Sequence, residues 1–347
     1  MRFQHPEKIE SSAEIVLRAF KRGINYFDTA PGYCQDMSEK IMGLAFKEMK
    51  KSTTPFYVST KSNMSNGKKL RNQLDYSLKT LGVGRVDFFH CWCLMDMRSW
   101  KERKAGGAVD ELLKAKEEGL IRHIAFSTHM PGHEIRQVIE EGIFEGVTLG
   151  YSAANFPFRE EGIEAARENN LGVIVMNPLG GGSIVKNKET FEFLKIHPKQ
   201  TLLEAALQFL RLNTAITSSI VGFRTVEDVD SAVEAMNGAP FTETHLNRVK
   251  NAISDELNQL CTGCAYCRNC PEGIEVWKFV ETTNHLFLKT EIDVSHRLKY
   301  DWGTTIEELD RCTECLTCVE SCTQHLPILQ RFELLKRKID EQRNKRK

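Results

Sequence analysis

The sequence predicts an α/β protein: a (β/α)8 TIM barrel over residues 1–240 with a truncated first strand, then a small cysteine-rich helical domain over 241–347. Three observations predict it. Seven short apolar strands alternate with amphipathic helices at even spacing through the first part of the chain, the pattern of parallel βα units. The apolar strand Ile24–Asp28 stops at a carboxylate and turns through Pro31-Gly32 to a phenol, Tyr33, and folds of this kind collect their chemistry at strand carboxyl ends. Eight of the eleven cysteines fall between Cys261 and Cys322, which marks a change of domain.

Taken in order, Ser11–Arg22 reads as a helix with Ser11 or Ser12 as N-cap and Gly23 as its stop. After the Asp28 strand come a helix over 39–50 and a strand over 56–61 that ends on Lys61. Leu70, Leu74, Leu78 and Leu81 form one stripe of a helix closed by Gly82. Strands are predicted at 86–92, 121–127, 146–151, 173–176 and 217–221. Helices are predicted at 109–118, 134–141, 160–169, 202–212 and 226–236. An open doubly wound sheet would also alternate strands and helices, but the even spacing favours the eightfold barrel. Only Met1-Arg2-Phe3 precedes the first helix as material for a leading strand, so the start reads as truncated.

Composition narrows the function. Hydrophobic residues at 41% and charged residues at 27% describe a globular protein with a real core. Lys+Arg and Asp+Glu balance at 47 each, which gives no electrostatic case for nucleic acid. The basic run from Lys336 to Lys347 reads as a solvated helix end. No apolar run is long enough to span a bilayer and no signal-peptide core opens the chain, so a cytoplasmic protein with no membrane partner is expected. Many cysteines in a reducing compartment point to metal ligation.

With strands ending on Asp28 and Lys61 and a tyrosine at 33, residues 1–240 resemble the aldo-keto reductase family. The carriers are Asn25-Tyr26-Phe27-Asp28-Thr29-Ala30-Pro31-Gly32-Tyr33, Ser59-Thr60-Lys61, Phe126-Ser127-Thr128, Asn177-Pro178-Leu179-Gly180-Gly181-Gly182 and Val221-Gly222-Phe223-Arg224, in the family's order. The resemblance implies that Tyr33 gives a proton to a carbonyl oxygen, that Lys61 tunes the phenol, and that Asp28 holds the lysine. Such roles make physical sense: a carbonyl accepts hydride only as its oxygen is protonated, and a phenol with pKa near 10 needs a nearby ammonium to release its proton.

The family's fourth polar residue is a histidine at a position occupied here by Trp92. His90 lies two residues earlier, on the same side of the strand but deeper. Either a bulge lifts His90 into the site or it is a core histidine and the fourth role is vacant.

For the cofactor, the resemblance implies NADP(H) held by Ser127, Thr128, Tyr151, Asn177, Leu179, Gly222, Phe223 and Arg224. Arg224 and the N-terminus of the helix beginning at Val226 would favour a 2′-phosphate. There are departures. Gly150-Tyr151-Ser152 replaces Gln-Tyr-Asn, Met176 stands where an aromatic stacks on nicotinamide, and the adenine-contacting Glu-Asn pair falls on Ser231-Ala232.

The last domain carries Cys261, Cys264, Cys267 and Cys270, then Cys312, Cys315, Cys318 and Cys322. The second run has C-x2-C-x2-C-x3-C spacing, which wraps a cubane because each thiolate reaches a different iron, and the first differs by one residue. Zinc also takes four thiolates, but two runs of four favour iron–sulfur. The resemblance is to two-cluster ferredoxin-type domains and implies two [4Fe-4S] clusters with crossed ligation. Cys261, Cys264, Cys267 and Cys322 would hold one, and Cys312, Cys315, Cys318 and Cys270 the other. Helices at 276–288 and 304–309 would cover them, with Trp277 and Trp302 as packing residues. Cys91 and Cys93 read as strand packing, while Cys34, directly after Tyr33, reads as an inert buried cysteine or else a thiol facing the mouth of the site.

Together these readings give an oxidoreductase acting on a small carbonyl or alcohol, with a redox partner protein for its clusters. The alternative is a catalytically impaired module that senses a cofactor or carries electrons. The substrate loops, 64–69, 94–107 and 181–188, carry no distinctive chemistry.

Overall fold

A computed structural model describes residues 2–238, 241–252, 259–288 and 292–344. Its centre is one parallel sheet of seven strands that pair strictly in chain order. They are β1 (Tyr26–Asp28), β2 (Tyr57–Ser62), β3 (Val86–Leu94), β4 (Ile121–Thr128), β5 (Gly146–Gly150), β6 (Gly172–Met176) and β7 (Ile216–Ser219). Phe27, Val58, Phe89, Ile124, Val147, Val173 and Val175 are buried at sheet level, and helices from each βα unit pack outside them. Strand residues covered on both faces explain why the sequence reads as continuous apolar runs.

The strands and most helices lie where expected within a residue or two. Gly82 ends the helix Gly67–Leu81 in the left-handed conformation, φ 65°, which a residue without a Cβ adopts at no steric cost. The helix Val226–Met236 is capped by Thr225 with Asp228. The first helix starts at Ile9, so Ser11 and Ser12 lie in its first turn instead of capping it, and Ser12 Oγ donates to the His5 carbonyl at 2.9 Å. A helix over Met97–Ala105 occupies part of the expected loop 94–107. It buries only Trp100 and Arg103, too thin a stripe for periodicity to reveal, and an Asp96–Ser99 capping box starts it. The helix expected at 304–309 is a 3-10 helix at Ile306–Arg311.

β1 and β7 are the two edges of the sheet, and no ladder joins them. Arg2 and Phe3 form no strand there; Met1 lies outside the described residues. Instead Gln4 N–H donates to the Arg224 carbonyl at 3.3 Å and Phe3 is buried in the barrel core.

Phe241, Val249 and Leu260 pack into the barrel's core, while a separate core begins at Cys261. Helices Val276–Phe287 and Ile328–Asn344 enclose that second core, with Phe279 edge-on to Phe332. Lys336 and Arg343 of the long last helix pair with Asp310 and Glu307 at its solvent side. No described helix is long and apolar enough to cross a membrane.

Candidate active site and cluster loops

Register builds the centre of the site. Asp28 faces Ser59 across β1 and β2, and Lys61 faces His90 across β2 and β3. Side chains two apart on a strand share a face, so Ser59 and Lys61 both turn toward Asp28. Lys61 Nζ lies 2.6 and 2.8 Å from the two Asp28 oxygens, and Ser59 Oγ donates to Asp28 at 2.9 Å. Burial alone would raise the Asp28 pKa, but Lys61, with His90, brings it below the ordinary value.

Above this pair opens a cavity of about 830 Å³ at the carboxyl ends of the strands, continuing down the gap between β1 and β7. Asp28, Tyr33, Lys61 and Trp92 line it. Tyr33 packs edge-on against Trp92, with centroids 5.6 Å apart, and Lys61 Nζ stands 5.2 Å from the centre of the Tyr33 ring. Burial, and after it the Asp28 carboxylate, push the Tyr33 phenol well above its ordinary value. Lys61 is expected to lower that pKa. The phenol instead rises because burial dominates, and the Lys61 charge is spent on its pair with Asp28.

His90 is not on the cavity wall. Its Nε2 lies 2.9 Å from Thr148 Oγ1 and its Nδ1 3.3 Å from Ser59 Oγ, both buried. A bulge does interrupt β3, between Cys91 and Leu94, with Cys93 at φ 60°, but His90 and Cys91 precede it and stay in register with Ala125 and Phe126. The bulge therefore re-aims Trp92 and Cys93 and leaves His90 below, where burial drops its pKa to about 4 and keeps the ring neutral.

The expected cofactor residues divide. Ser127, Asn177, Gly222 and Phe223 line the cavity, as does Met176. Thr128, Tyr151, Leu179 and Arg224 do not. Thr128 Oγ1 donates to the Leu94 carbonyl, Tyr151 stacks on Phe209 in the core, and Leu179 packs against the same core. Arg224 is exposed at the rim, and its N–H donates to Asp228 at 2.8 Å. Asp228 also takes the Thr225 N–H, so a carboxylate of the chain already occupies part of the helix N-terminus expected to meet a phosphate.

The second domain reaches this cavity. Cys264, Tyr266 and Arg268, all in the first cysteine loop, form part of its wall. Nothing in the sequence signals this, because the residues between closely spaced cysteines carry no mark of what they dock against. The loop is clamped from both sides. A Cβ on Gly181 would stand 2.0 Å from the Thr262 carbonyl oxygen, so only glycine lets the loop after β6 approach that closely. Arg159, fully buried, donates to the carbonyls of Gly150 (3.3 Å), His129 (3.1 Å) and Thr323 (3.3 Å), and His325 Nε2 meets the His129 carbonyl at 2.8 Å.

The eight cysteines fall into two groups. Cys261, Cys264, Cys267 and Cys322 act on one another electrostatically, and the Cys261 and Cys322 sulfurs each accept a backbone N–H at 3.4 Å. Cys270, Cys312, Cys315 and Cys318 line one small apolar cavity with Ile274, Leu329 and Phe332. Burial pushes the Cys267 and Cys318 thiols up to about 12 and 11, with neighbouring thiols adding to it. Among the described residues no three His, Cys, Asp or Glu side chains converge on a single ion. A cubane asks for a wider spread, since its four ligands bind four different irons, and both groups suit one. The two runs also share their backbone: Gly263 and Glu314, then Ala265 and Leu316, all take positive φ. Three of these four carry a Cβ, so the turn is held by what surrounds it.

Residues 3–254 match the model of the aldo/keto reductase family. The chain belongs to that family. Residues 260–326 match a 4Fe-4S dicluster domain, so the reductase barrel is fused to an iron–sulfur module. L-galactose dehydrogenase of Arabidopsis thaliana is 25% identical over 67% of this chain and 79% of its own length. L-glyceraldehyde 3-phosphate reductase of Escherichia coli O157:H7 is 24% identical over 74% of this chain and 88% of its own. NADH-specific methylglyoxal reductase of Escherichia coli K12 is 26% identical, with 49% of this chain and 56% of the relative covered. Among solved structures, glycerol dehydrogenase of Gluconobacter oxydans superposes with a TM-score of 0.60 at 18% identity, covering 70% of this chain and 85% of that one. An aldo-keto reductase of Bacillus halodurans does so at 0.59 and 19%, covering 70% and 86%. At these identities the likeness is one of fold. The chain is an oxidoreductase of the aldo/keto reductase type.

Proposed function

We propose that the barrel reduces a small carbonyl, or oxidises the matching alcohol, with NADP(H) as the hydride carrier and Tyr33 as the proton donor. The observation that carries this reading is the buried Asp28–Lys61 pair beneath Tyr33 on one cavity wall. Bound nicotinamide would supply a hydride to the carbonyl carbon. Everything else falls to the chain. Tyr33, kept protonated by burial, gives its proton to the carbonyl oxygen as the C=O π bond breaks and an O–H bond forms. Lys61, held in place by Asp28, stabilises the phenolate left behind.

Asn177, Gly222 and Phe223 support nucleotide binding along the β6–β7 rim, and the exposed Arg224 supports a phosphorylated ribose. The relatives' names supply a test panel: methylglyoxal, L-glyceraldehyde 3-phosphate and L-galactose. The second cysteine group supports exchange with a soluble redox partner, because Cys315 is exposed and Leu316 beside it is 47% exposed.

The deciding experiment is titration of the holoprotein with NADPH and NADH, with turnover of the panel followed at the nicotinamide absorbance. Binding of NADPH and turnover lost in Tyr33→Phe, by roughly 10² to 10⁴-fold, is the expected result. Binding of neither nucleotide overturns it. A second reading, a module that binds the cofactor without turning over, draws on His90 lying off the cavity and Asp228 crowding the helix N-terminus. Tight nucleotide binding with no turnover of any carbonyl would favour it.

A further inference from the structure

The cavity wall carries Tyr26 and Tyr33 from the barrel and a third phenol from the fused domain. Where the family's histidine is expected, Trp92 stands, and His90 is tied to Ser59 and Thr148 below. The wall continues through Tyr266, which lies between two proposed cluster ligands, Cys264 and Cys267. The Tyr266 ring meets the His129 ring edge-on, with centroids 5.8 Å apart, and Cys93 lies beside it. The bulge in β3 is what brings Cys93 there.

Two features of this corner suit a polar ligand. A neighbouring thiol is a weak hydrogen-bond partner, so the Tyr266 hydroxyl keeps its donor for a better oxygen. His129, also on the cavity wall, has a buried Nδ1 with no partner among the described residues, and such an atom is expensive to leave unpaired.

We propose that Tyr266 is a substrate-contacting residue of the reductase site: its hydroxyl donates a hydrogen bond to the oxygen of the carbonyl that Tyr33 protonates. The iron–sulfur module then supplies a second phenol donor in place of the family's histidine. Two fixed donors aimed at one oxygen stabilise charge as it develops there. The inference rests on the reading of Tyr33 as proton donor.

The test uses the holoprotein, with benzaldehyde as substrate and benzamide as an unreactive carbonyl probe. Tyr266→Phe keeps the ring against His129, and the cluster absorbance per chain reports that the loop is intact. The expected result is a kcat lowered roughly 10- to 100-fold, benzamide binding weakened about tenfold by calorimetry, and NADPH affinity unchanged. Wild-type kcat and wild-type benzamide affinity in Tyr266→Phe overturn the proposal and leave Tyr33 untouched. Full turnover in Tyr33→Phe instead removes the reading beneath it, whereas benzamide binding still reports the Tyr266 contact by itself. Should Tyr266→Phe lose its colour, 3-fluorotyrosine at 266 replaces it. A shift of the pH dependence of benzamide binding to lower pH supports the contact, and an unshifted profile refutes it.

Discussion

Lys61 and Asp28 meet at 2.6 Å with 4% and 8% of their side chains exposed. A pair this dry is costly to break from one side, because the surviving charge keeps no partner and little water. Asp28→Asn or Lys61→Met should each destabilise the barrel by about 3–5 kcal/mol, while the double variant Asp28→Asn/Lys61→Met should recover part of the loss. Denaturant unfolding followed by tryptophan fluorescence measures all three. Equal losses that simply add would mean the two side chains do not act as a pair.

Acid should weaken the fold through two buried histidines. Burial lowers the pKa of His90 to about 4 and of His129 to about 3, so both stay neutral in the folded chain. The unfolded chain takes up those protons near pH 6.5. Unfolded protein therefore binds more protons below that point, and stability falls as pH drops from 6.5 toward 4, by about 1.4 kcal/mol per unit for each histidine. Unfolding free energies at pH 7.5 and 5 should differ in this direction, and His90→Asn should flatten the slope. Asp28, held below its usual value, adds its own loss only at lower pH.

Arg159 joins the two domains through three carbonyls and faces no carboxylate within salt-bridge reach among the described residues. Arg159→Met takes this donor from the Gly150 and Thr323 carbonyls, at about 1–3 kcal/mol each in the worst case, while His325 still meets the His129 carbonyl. Limited proteolysis should then release a cysteine-rich fragment that stays attached in the wild type. Unchanged resistance would place the domain coupling elsewhere.

Gly181→Ala sets a Cβ against the Thr262 carbonyl and strains a residue at φ 68°. The loop after β6 and the first cysteine loop must separate. Weaker nucleotide binding and faster amide exchange around residues 262–268 are the expected outcomes, read by titration and hydrogen exchange. An alanine variant indistinguishable from wild type in both would mean the loops yield freely.

Most of the barrel was legible because each βα unit carries its own periodicity, and Asp28, Tyr33 and Lys61 because each ends a strand or follows a tight turn. His90 shows the limit. Its strand was right, but the bulge that decides which side chains face the cavity begins one residue later and leaves no mark in the sequence. Tyr151 fell short for a similar reason: the turn after β5 swings it back onto Phe209. Tyr266 and Arg159 were invisible, since docking between domains obeys no local pattern. The thin stripe of Met97–Ala105 hid a helix that Trp100 nonetheless anchors through Glu141.

The matched left-handed turns at Gly263 and Ala265, and at Glu314 and Leu316, carry one more implication. If the two cysteine runs repeat one backbone, the turn cannot be what distinguishes them. Their neighbourhoods do: Cys264 sits on the wall of the barrel cavity, whereas Cys315 lies open to solvent. Exposure and hydrogen bonds to sulfur set the potential of a bound centre. The module thus has polarity, an inner terminal on the barrel cavity and an outer terminal open to solvent, and any current through it would have a built-in direction.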